Sequence, residues 1–409
     1  MTNKENNLML RLRCVNRRWF FGTAGIVALV ALAVPLVAGG AQNSGGLKSL
    51  PASVQALYVH ANPQEPVGAS PLQSFKAKHK PPWVIGYSSE YAGNNWRAEA
   101  TNRLYKTLLP EYKKAGLVSK VIVTQSNLNN QLQIQQIKQM VDQGVDAIIT
   151  CCAAPTVLNG AIKYAHDHGV PFFVFNGYVT SPYAVSELGN YYVDGETMGE
   201  QLFKAMGGKG NVLDVQGFPG ITSNDNVEAG MRYIAKTKYP GIKIVGSVTS
   251  LDTDPTAKSV VLQFLASHPG GVDGVFTQSP GEVGVLQALL QSGRTPVPKI
   301  VVGGEAGTAC YWKKNPTWVQ AGLNTWPPAD EFQAVWEMMM RTLEGQGPKI
   351  QSMHRPLAPF TLADVSSRLP ANCDTNSNAF VAPPASKYFP ASLMDKYFTH
   401  PADPLKYKG

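Results

Sequence analysis

Two adjacent cysteines, Cys151 and Cys152, end a predicted buried strand and are the residues best placed for covalent chemistry. The chain has five cysteines, and four remain if the N-terminal segment that contains Cys14 is removed. An even number of cysteines in an oxidising compartment indicates disulfides. Cys151 and Cys152 would then close a strained eight-membered ring, a flat apolar plate able to stack on a ligand. Pairing of Cys310 with Cys373 is one alternative, and four buried free thiols are another.

Motifs for other kinds of site chemistry are missing from the sequence. No histidine or acidic residue has metal-ligand spacing near the cysteines, so we expect no metal site. The chain has no Gly-x-Ser-x-Gly motif, and Gly-Gly-Lys-Gly-Asn at 207–211 lacks the spacing of a phosphate-binding loop. His166 and His168 lie two apart on a predicted helix and therefore point in different directions. We predict a protein that is not an enzyme and needs no cofactor.

The N-terminus is typical of an export signal. A basic segment precedes the apolar run Gly22–Val37, and small residues follow it, so we predict a signal peptide at 1–41 and a mature chain from Gln42. An uncleaved membrane anchor is the alternative, because the apolar run is close to spanning length. The pair Arg17-Arg18 also resembles a twin-arginine signal, which leaves the export route open between Sec and twin-arginine. Either route predicts a periplasmic protein.

Length and charge narrow the class of protein. At 409 residues the chain exceeds what one hydrophobic core usually holds, so two lobes are expected. The formal net charge is +8, and half of it lies in the first 41 residues. The remaining charge is too weak and too dispersed to indicate nucleic-acid binding.

The segment from 133 to 176 alternates helix and strand. Ile134, Ile137 and Met140 recur at helical spacing, and Gly144 then ends the helix. The run 146–149 is short and, after Asp146, apolar, as in a parallel strand that is covered on both faces. A second helix and strand follow. Repeated β/α units build a parallel sheet that binds ligands at the carboxyl ends of its strands.

The order of motifs in this segment also carries a resemblance. Gln-Gly-Val-Asp-Ala-Ile-Ile at 143–149, followed by Gly-Val-Pro at 169–171 and a hydrophobic strand, resembles the periplasmic sugar-binding proteins of the ribose/galactose type, the receptors of ABC importers. The resemblance covers about residues 82–365. It implies an α/β fold of the type I periplasmic binding protein class: two Rossmann-like lobes with parallel sheets, joined by a three-segment hinge.

The resemblance also implies domain boundaries. We expect a signal peptide at 1–41, a linker or arm at 42–81, lobe 1 at 82–190 and 325–350, lobe 2 at 191–324 and 351–365, and a C-terminal tail at 366–409. Aromatic residues scattered through the tail suggest that it docks on the lobes. Closure of the lobes over a ligand is the expected motion.

Ligand contacts in such proteins come from the loops that follow the strands. Aromatic side chains cover the apolar faces of a sugar ring, and planar polar groups bind its hydroxyls. The resemblance gives twelve candidate ligand-binding residues: Ser89, Glu90, Asn95, Trp96, Cys151, Cys152, Asn176, Asp225, Ser279, Glu305, Asn324 and Trp326. Asn95 would bind a hydroxyl pair and Trp96 would cover a ring face; a helix-capping Asn95 beside a packed Trp96 is the alternative.

Several candidates depart from the family pattern. Asn176-Gly177 stands where many relatives carry Asp-Arg, and Asp225 stands where the ribose type often has an arginine. Glu90 and Glu305 add further acid near the expected cleft. A polyol, a modified sugar, a larger saccharide or a cationic solute therefore stays open beside an ordinary pentose or hexose.

The sequence thus predicts the substrate-binding protein of an ABC importer, a monomer that delivers a small polar solute to a permease in the inner membrane. A periplasmic sensor that docks on a receptor kinase or chemoreceptor is the alternative. A second alternative is an exported enzyme that uses Glu90, Asp225 or Glu305 as paired carboxylates. The related sugar-responsive repressors carry a DNA-binding head that this exported chain lacks.

Overall fold

The computed structural model describes residues 45–152, 154–278, 280–323, 327–381 and 388–407. The predicted signal peptide lies outside these ranges. Within them, no helix is both long and apolar enough to cross a membrane.

The described residues form twelve strands in two lobes. In chain order the strands are β1 Trp83–Ser89, β2 Val118–Gln125, β3 Ala147–Cys151, β4 Phe172–Phe175, β5 Ala184–Gly189, β6 Lys209–Gln216, β7 Gly241–Thr249, β8 Gly274–Thr277, β9 Lys299–Ile300, β10 Gly322–Leu323, β11 Ser352–Arg355 and β12 Pro359–Phe360.

Helices cover the sheets and link the strands. They are α1 Gly45–Lys48, α2 Ala52–Gln55, α3 Asn95–Arg103, α4 Leu109–Lys114, α5 Asn130–Asp142, α6 Asn159–Asp167, α7 Tyr191–Ala205, α8 Thr222–Thr237, α9 Asp254–Ser267, α10 Glu282–Gln291, α11 Ala306–Lys314, α12 Pro328–Leu343 and α13 Leu362–Arg368. A π-helical turn at Leu104–Leu108 joins α3 to α4, so the three form one long helix with a local widening. A short helix at Ala391–Met394 lies in the tail.

The first lobe is built on a parallel six-stranded sheet with the order β11-β5-β4-β3-β1-β2. Its central strands β3 and β4 are buried along their whole length, which explains why all their residues except Thr150 are apolar. The strand β11 pairs with β5 in this sheet. Residues 352–355 therefore belong to the first lobe, whereas the predicted boundary assigns 351–365 to the second.

The second lobe holds the parallel sheet β7-β6-β8-β9 and the antiparallel pair β10-β12. The chain passes into this lobe between β5 and α7 and passes again between β11 and β12. At the hinge, Arg355 of the first lobe donates from Nη2 to Oδ2 of Asp194 on α7 at 3.1 Å, and both side chains are fully buried. Burying an arginine and a carboxylate is tolerable because they neutralise each other.

Both ends of the described chain pack into the first lobe. Residues of the predicted arm, among them Val54 and Tyr58, are buried in its core together with Tyr397 and Phe398 of the tail. The Tyr58 hydroxyl donates to the carbonyl oxygen of Ser352 at 2.5 Å. The segment predicted as a linker or arm is thus an ordered part of the first lobe, fixed by burial of its apolar side chains.

Candidate functional site

A cavity lies between the lobes, at the carboxyl ends of both sheets. Its volume is about 40 Å³, which is below that of a typical small-molecule site. The first lobe contributes Asn94, Trp96, Arg97, Cys152 and Asn176, and the second contributes Phe218, Ile221, Ser223, Asn224, Asp252, Gln278 and Pro280.

The first turn of α3 supplies the aromatic and cationic wall. Asn94 is the N-cap, and its side-chain oxygen accepts from the Arg97 backbone N–H at 3.0 Å. Trp96 is 3% exposed and stacks on Phe175, with ring centroids 6.0 Å apart and planes 17° apart. The Arg97 guanidinium carbon lies 4.9 Å from the Trp96 ring centroid, within cation–π range.

The Arg97 guanidinium has a hydrogen-bond donor that is not used within the protein. The side chain is 93% buried, yet its Nη1 has no hydrogen-bond partner among the described residues. A buried guanidinium N–H without an acceptor is costly, so an acceptor from a ligand would remove that cost. Arg97 is therefore ready to bind an oxygen atom placed in the cavity.

Two carboxyl groups flank this arginine, one from each lobe. Burial raises the pKa of Glu90 to about 7, and the nearby Arg97 charge opposes that rise. Burial likewise raises the pKa of Asp252 to about 7, again opposed by Arg97. Gly217 makes room for Asp252, since a Cβ there would lie 2.2 Å from the carboxylate oxygen Oδ1. Both acids hold their protons more strongly than in water because the cavity walls exclude solvent.

Amide side chains form the rest of the polar wall. Gln278 follows β8, and its Nε2 donates to Oδ1 of Asn224 at 3.2 Å and to Oε1 of Glu228 at 2.8 Å. Asn224 Oδ1 also accepts from the Gly217 backbone N–H at 2.9 Å. Asn176 follows β4, and its Oδ1 accepts from the Tyr191 hydroxyl at 3.4 Å. These bonds fix the planar amides that face the cavity.

The sulfur atoms of Cys151 and Cys152 are joined, and Cys152 lines the cavity. Cys152 and Asn176 both have positive φ angles, 66° and 54°, at the ends of the neighbouring strands β3 and β4. A non-glycine residue in this region typically costs about 1–3 kcal/mol, and such residues cluster at binding sites. A second disulfide joins Cys310 of α11 to Cys373.

The profile of the periplasmic binding protein domain family matches residues 85–347. This match spans well over half of the chain. The chain belongs to the periplasmic binding protein domain family. The arm and the C-terminal tail lie outside the matched residues.

Individual proteins are also similar to this chain. The galactofuranose-binding protein YtfQ of Escherichia coli (strain K12) is 26% identical over 57% of this chain and 73% of its own length. A xylitol-binding protein of Mycolicibacterium smegmatis is 29% identical over 47% of this chain and 55% of its own length. The structure of an ABC transporter solute-binding protein from Thermobispora bispora superposes with a TM-score of 0.65 at 26% identity, covering 74% of this chain and 92% of that one.

In this periplasmic binding protein, three of the predicted ligand residues line the cavity: Trp96, Cys152 and Asn176. Ser89, Glu90 and Cys151 are buried behind it. Ser279, Asn324 and Trp326 lie outside the described residues. Asn95, Asp225 and Glu305 are described, and their polar groups are engaged elsewhere.

Each of these three has a local structural partner. Asn95 donates from Nδ2 to Oε1 of Glu99 at 3.2 Å. Asp225 accepts the Gly220 backbone N–H at 3.0 Å and so closes the turn before α8. The carboxylate of Glu305 is fully buried and accepts the backbone N–H groups of Gly281 and Val283, at 3.2 and 2.9 Å, at the start of α10. Helix N-termini favour such carboxylates.

Sequence reasoning missed Arg97, Asp252, Asn224 and Gln278. Gln278 and Asp252 follow strands β8 and β7, so the rule that located the other candidates applies to them as well. The sequence indicated Arg97 less clearly, because the family that the chain resembles carries its ligand-binding arginines in other loops. In the described ranges, no group of three or more histidine, cysteine or acidic side chains is arranged to hold a metal ion.

Proposed function

We propose that this protein is the substrate-binding component of an ABC importer and that it binds a neutral polyhydroxylated solute, a monosaccharide or a polyol. The observation that carries the proposal is the unpartnered Nη1 of Arg97 beside the Trp96 ring in an interlobe cavity. The relatives named for galactofuranose and xylitol support the same class of ligand.

The chemistry of the wall suits a polyol in two ways. The Trp96 ring and the cysteine pair offer apolar surface to C–H groups, while Arg97, Asn176 and Gln278 offer planar polar groups to hydroxyls. Asp252 can accept from a hydroxyl when ionised and donate when protonated. Hydroxyl groups both donate and accept, so they match this mixture better than a cation or an anion does.

We propose further that the protein acts as an exported monomer. The signal at residues 1–41 would direct it to the periplasm, where oxidising conditions preserve both disulfides. Ligand binding would draw together lobes that already share the cavity wall, and a permease in the inner membrane would receive the closed form.

Isothermal titration calorimetry of the chain from Gln42 tests the proposal. The injectants are D-galactose in solutions enriched in the furanose form, D-ribose, D-xylose, L-arabinose and xylitol, with L-lysine and L-glutamate as charged controls. We expect dissociation constants in the micromolar range or below for at least one sugar or polyol, and no heat with the amino acids. Binding of either amino acid without any sugar would overturn the assignment of ligand class.

A further inference from the structure

We infer that residues 373–381, here called the strap, cross one mouth of the interlobe cleft and limit how far the lobes open there. This goes beyond the proposed function, because it concerns how the ligand enters and leaves. The strap lies outside the part of the chain that matches the family.

The strap is fixed to the second lobe by a covalent bond and by main-chain hydrogen bonds. Cys373 is joined to Cys310. Further along, the backbone N–H of Gly307 donates to the carbonyl oxygen of Ser377 at 2.6 Å, and that of Ala306 donates to Ala379 at 2.7 Å. The strap therefore moves with the second lobe.

The same segment contacts the first lobe through two residues of α3. Asn95 donates from Nδ2 to the carbonyl oxygen of Asn378 at 2.5 Å. The backbone N–H of Phe380 donates to Oε1 of Glu99 at 3.1 Å. Asn378 also donates from Nδ2 to Oδ2 of Asp254 in the second lobe at 3.1 Å, which holds this residue between the lobes.

The strap borders the ligand cavity. Asn378 lines a second hollow that shares Asn94, Asp252 and Pro280 with the ligand cavity. Separation of the lobes on this side must break the contacts of Asn95 and Glu99 with the strap. The strap therefore resists opening of the lobes on this side.

The double variant N95A/E99A removes both contacts without touching the strap itself. Its matched controls are E99Q, which keeps an oxygen acceptor for Phe380, and N376A, which removes a strap side chain that contacts Gln287 of the second lobe and Asp374 of the strap itself. Small-angle X-ray scattering of each ligand-free protein measures opening directly. We expect a larger radius of gyration for N95A/E99A and native values for both controls.

Dissociation of xylitol, followed by stopped-flow tryptophan fluorescence, gives the second readout. We expect the rate to rise about three- to tenfold in N95A/E99A. A folded double variant with native radius of gyration and native rate overturns the inference. The scattering measurement needs no ligand, so failure of the proposed function, seen as no binding by the native protein, remains distinguishable from failure of the strap.

Discussion

Asn94 of the first lobe donates from Nδ2 to the carbonyl oxygen of Asp252 in the second lobe at 3.1 Å. The oxygen of the same amide caps α3 by accepting from the Arg97 backbone N–H. One side chain thus links closure of the lobes to the helix turn that carries the cavity's arginine.

The substitution N94D separates these two roles. Aspartate keeps the cap oxygen, but it loses the donor and places negative charge against the Asp252 carbonyl. A neutral hydrogen bond contributes about 0.5–1.5 kcal/mol, so we expect affinity for the best sugar or polyol to fall about three- to tenfold. Calorimetry measures affinity, and thermal unfolding checks that the helix cap survives. Unchanged affinity would show that this contact does not stabilise the closed form.

Removal of the guanidinium in R97A should weaken binding more strongly. A hydrogen bond from a charged group contributes about 1.5–3 kcal/mol, which corresponds to a loss of about 10- to 150-fold in affinity. The matched control is R103A on the same helix. Arg103 does not line the cavity, and its Nη2 lies 3.3 Å from Oδ1 of Asp330. Equal losses in the two variants would mean that α3 stability, rather than ligand contact, explains the effect.

The pKa of Glu90 predicts how stability varies with pH. Burial raises the pKa of Glu90 to about 7, whereas glutamate in the unfolded chain titrates near 4.3. Between these values the native state binds more protons, so the free energy of unfolding falls as pH rises from about 4 to 7. The contribution of Glu90 reaches up to about 4 kcal/mol by linkage.

In the variant E90Q residue 90 cannot titrate, so the free energy of unfolding should vary less with pH between about 4 and 7. Asp252 and the other buried acids keep their own contributions to the pH dependence. Urea unfolding midpoints at pH 5, 6, 7 and 8 measure the effect. Parallel profiles for E90Q and the native protein would show that Glu90 does not change its protonation over this range.

The two disulfides should have opposite effects on stability and binding. The bond between Cys310 and Cys373 spans 63 residues of chain, so its removal in C310S/C373S should cost about 4 kcal/mol of stability by the loop-entropy relation. The bond between adjacent Cys151 and Cys152 closes almost no chain and contributes about 1 kcal/mol by the same relation.

C151A/C152A should therefore remain nearly as stable as the native protein, and it should lose several-fold in sugar affinity because Cys152 lines the cavity. Urea unfolding and calorimetry on both variants give the comparison. Native affinity in C151A/C152A would exclude the pair from ligand contact.

The fold was largely readable from the sequence where apolar patterns were strong. Buried strands such as β3 and β4 are almost wholly apolar, and the family match confirms the α/β architecture that they predict. The strand β11 was not readable, because its sequence Ser-Met-His-Arg is polar although all four residues are buried. Nε2 of its His354 lies 2.6 Å from Oε1 of Glu65, a residue 289 positions earlier in the chain that no local pattern links to it.

The location of the site could be predicted from the sequence, but the set of residues that line it could be predicted only in part. Strand ends indicated Trp96, Cys152 and Asn176, which meet in the cavity. Glu305 and Asp225 also follow or precede the expected turns, yet backbone N–H groups at helix starts take up their oxygens. A pattern of residue types does not distinguish a carboxylate that faces a cavity from one that satisfies the nearest backbone donors.

The burial of Tyr397 and Phe398 in the first lobe, beside Tyr58 from the other end, has a consequence for biogenesis. The first sheet begins at residue 83, but its hydrophobic core is incomplete until a segment about three hundred residues later has been synthesised and packs against it. A nascent chain still attached to the ribosome lacks that closing segment. The first lobe to be synthesised is therefore the last to become stable, and in a chain truncated before Tyr388 this lobe should stay unfolded and protease-sensitive even though the hinge segments and the whole second lobe are present.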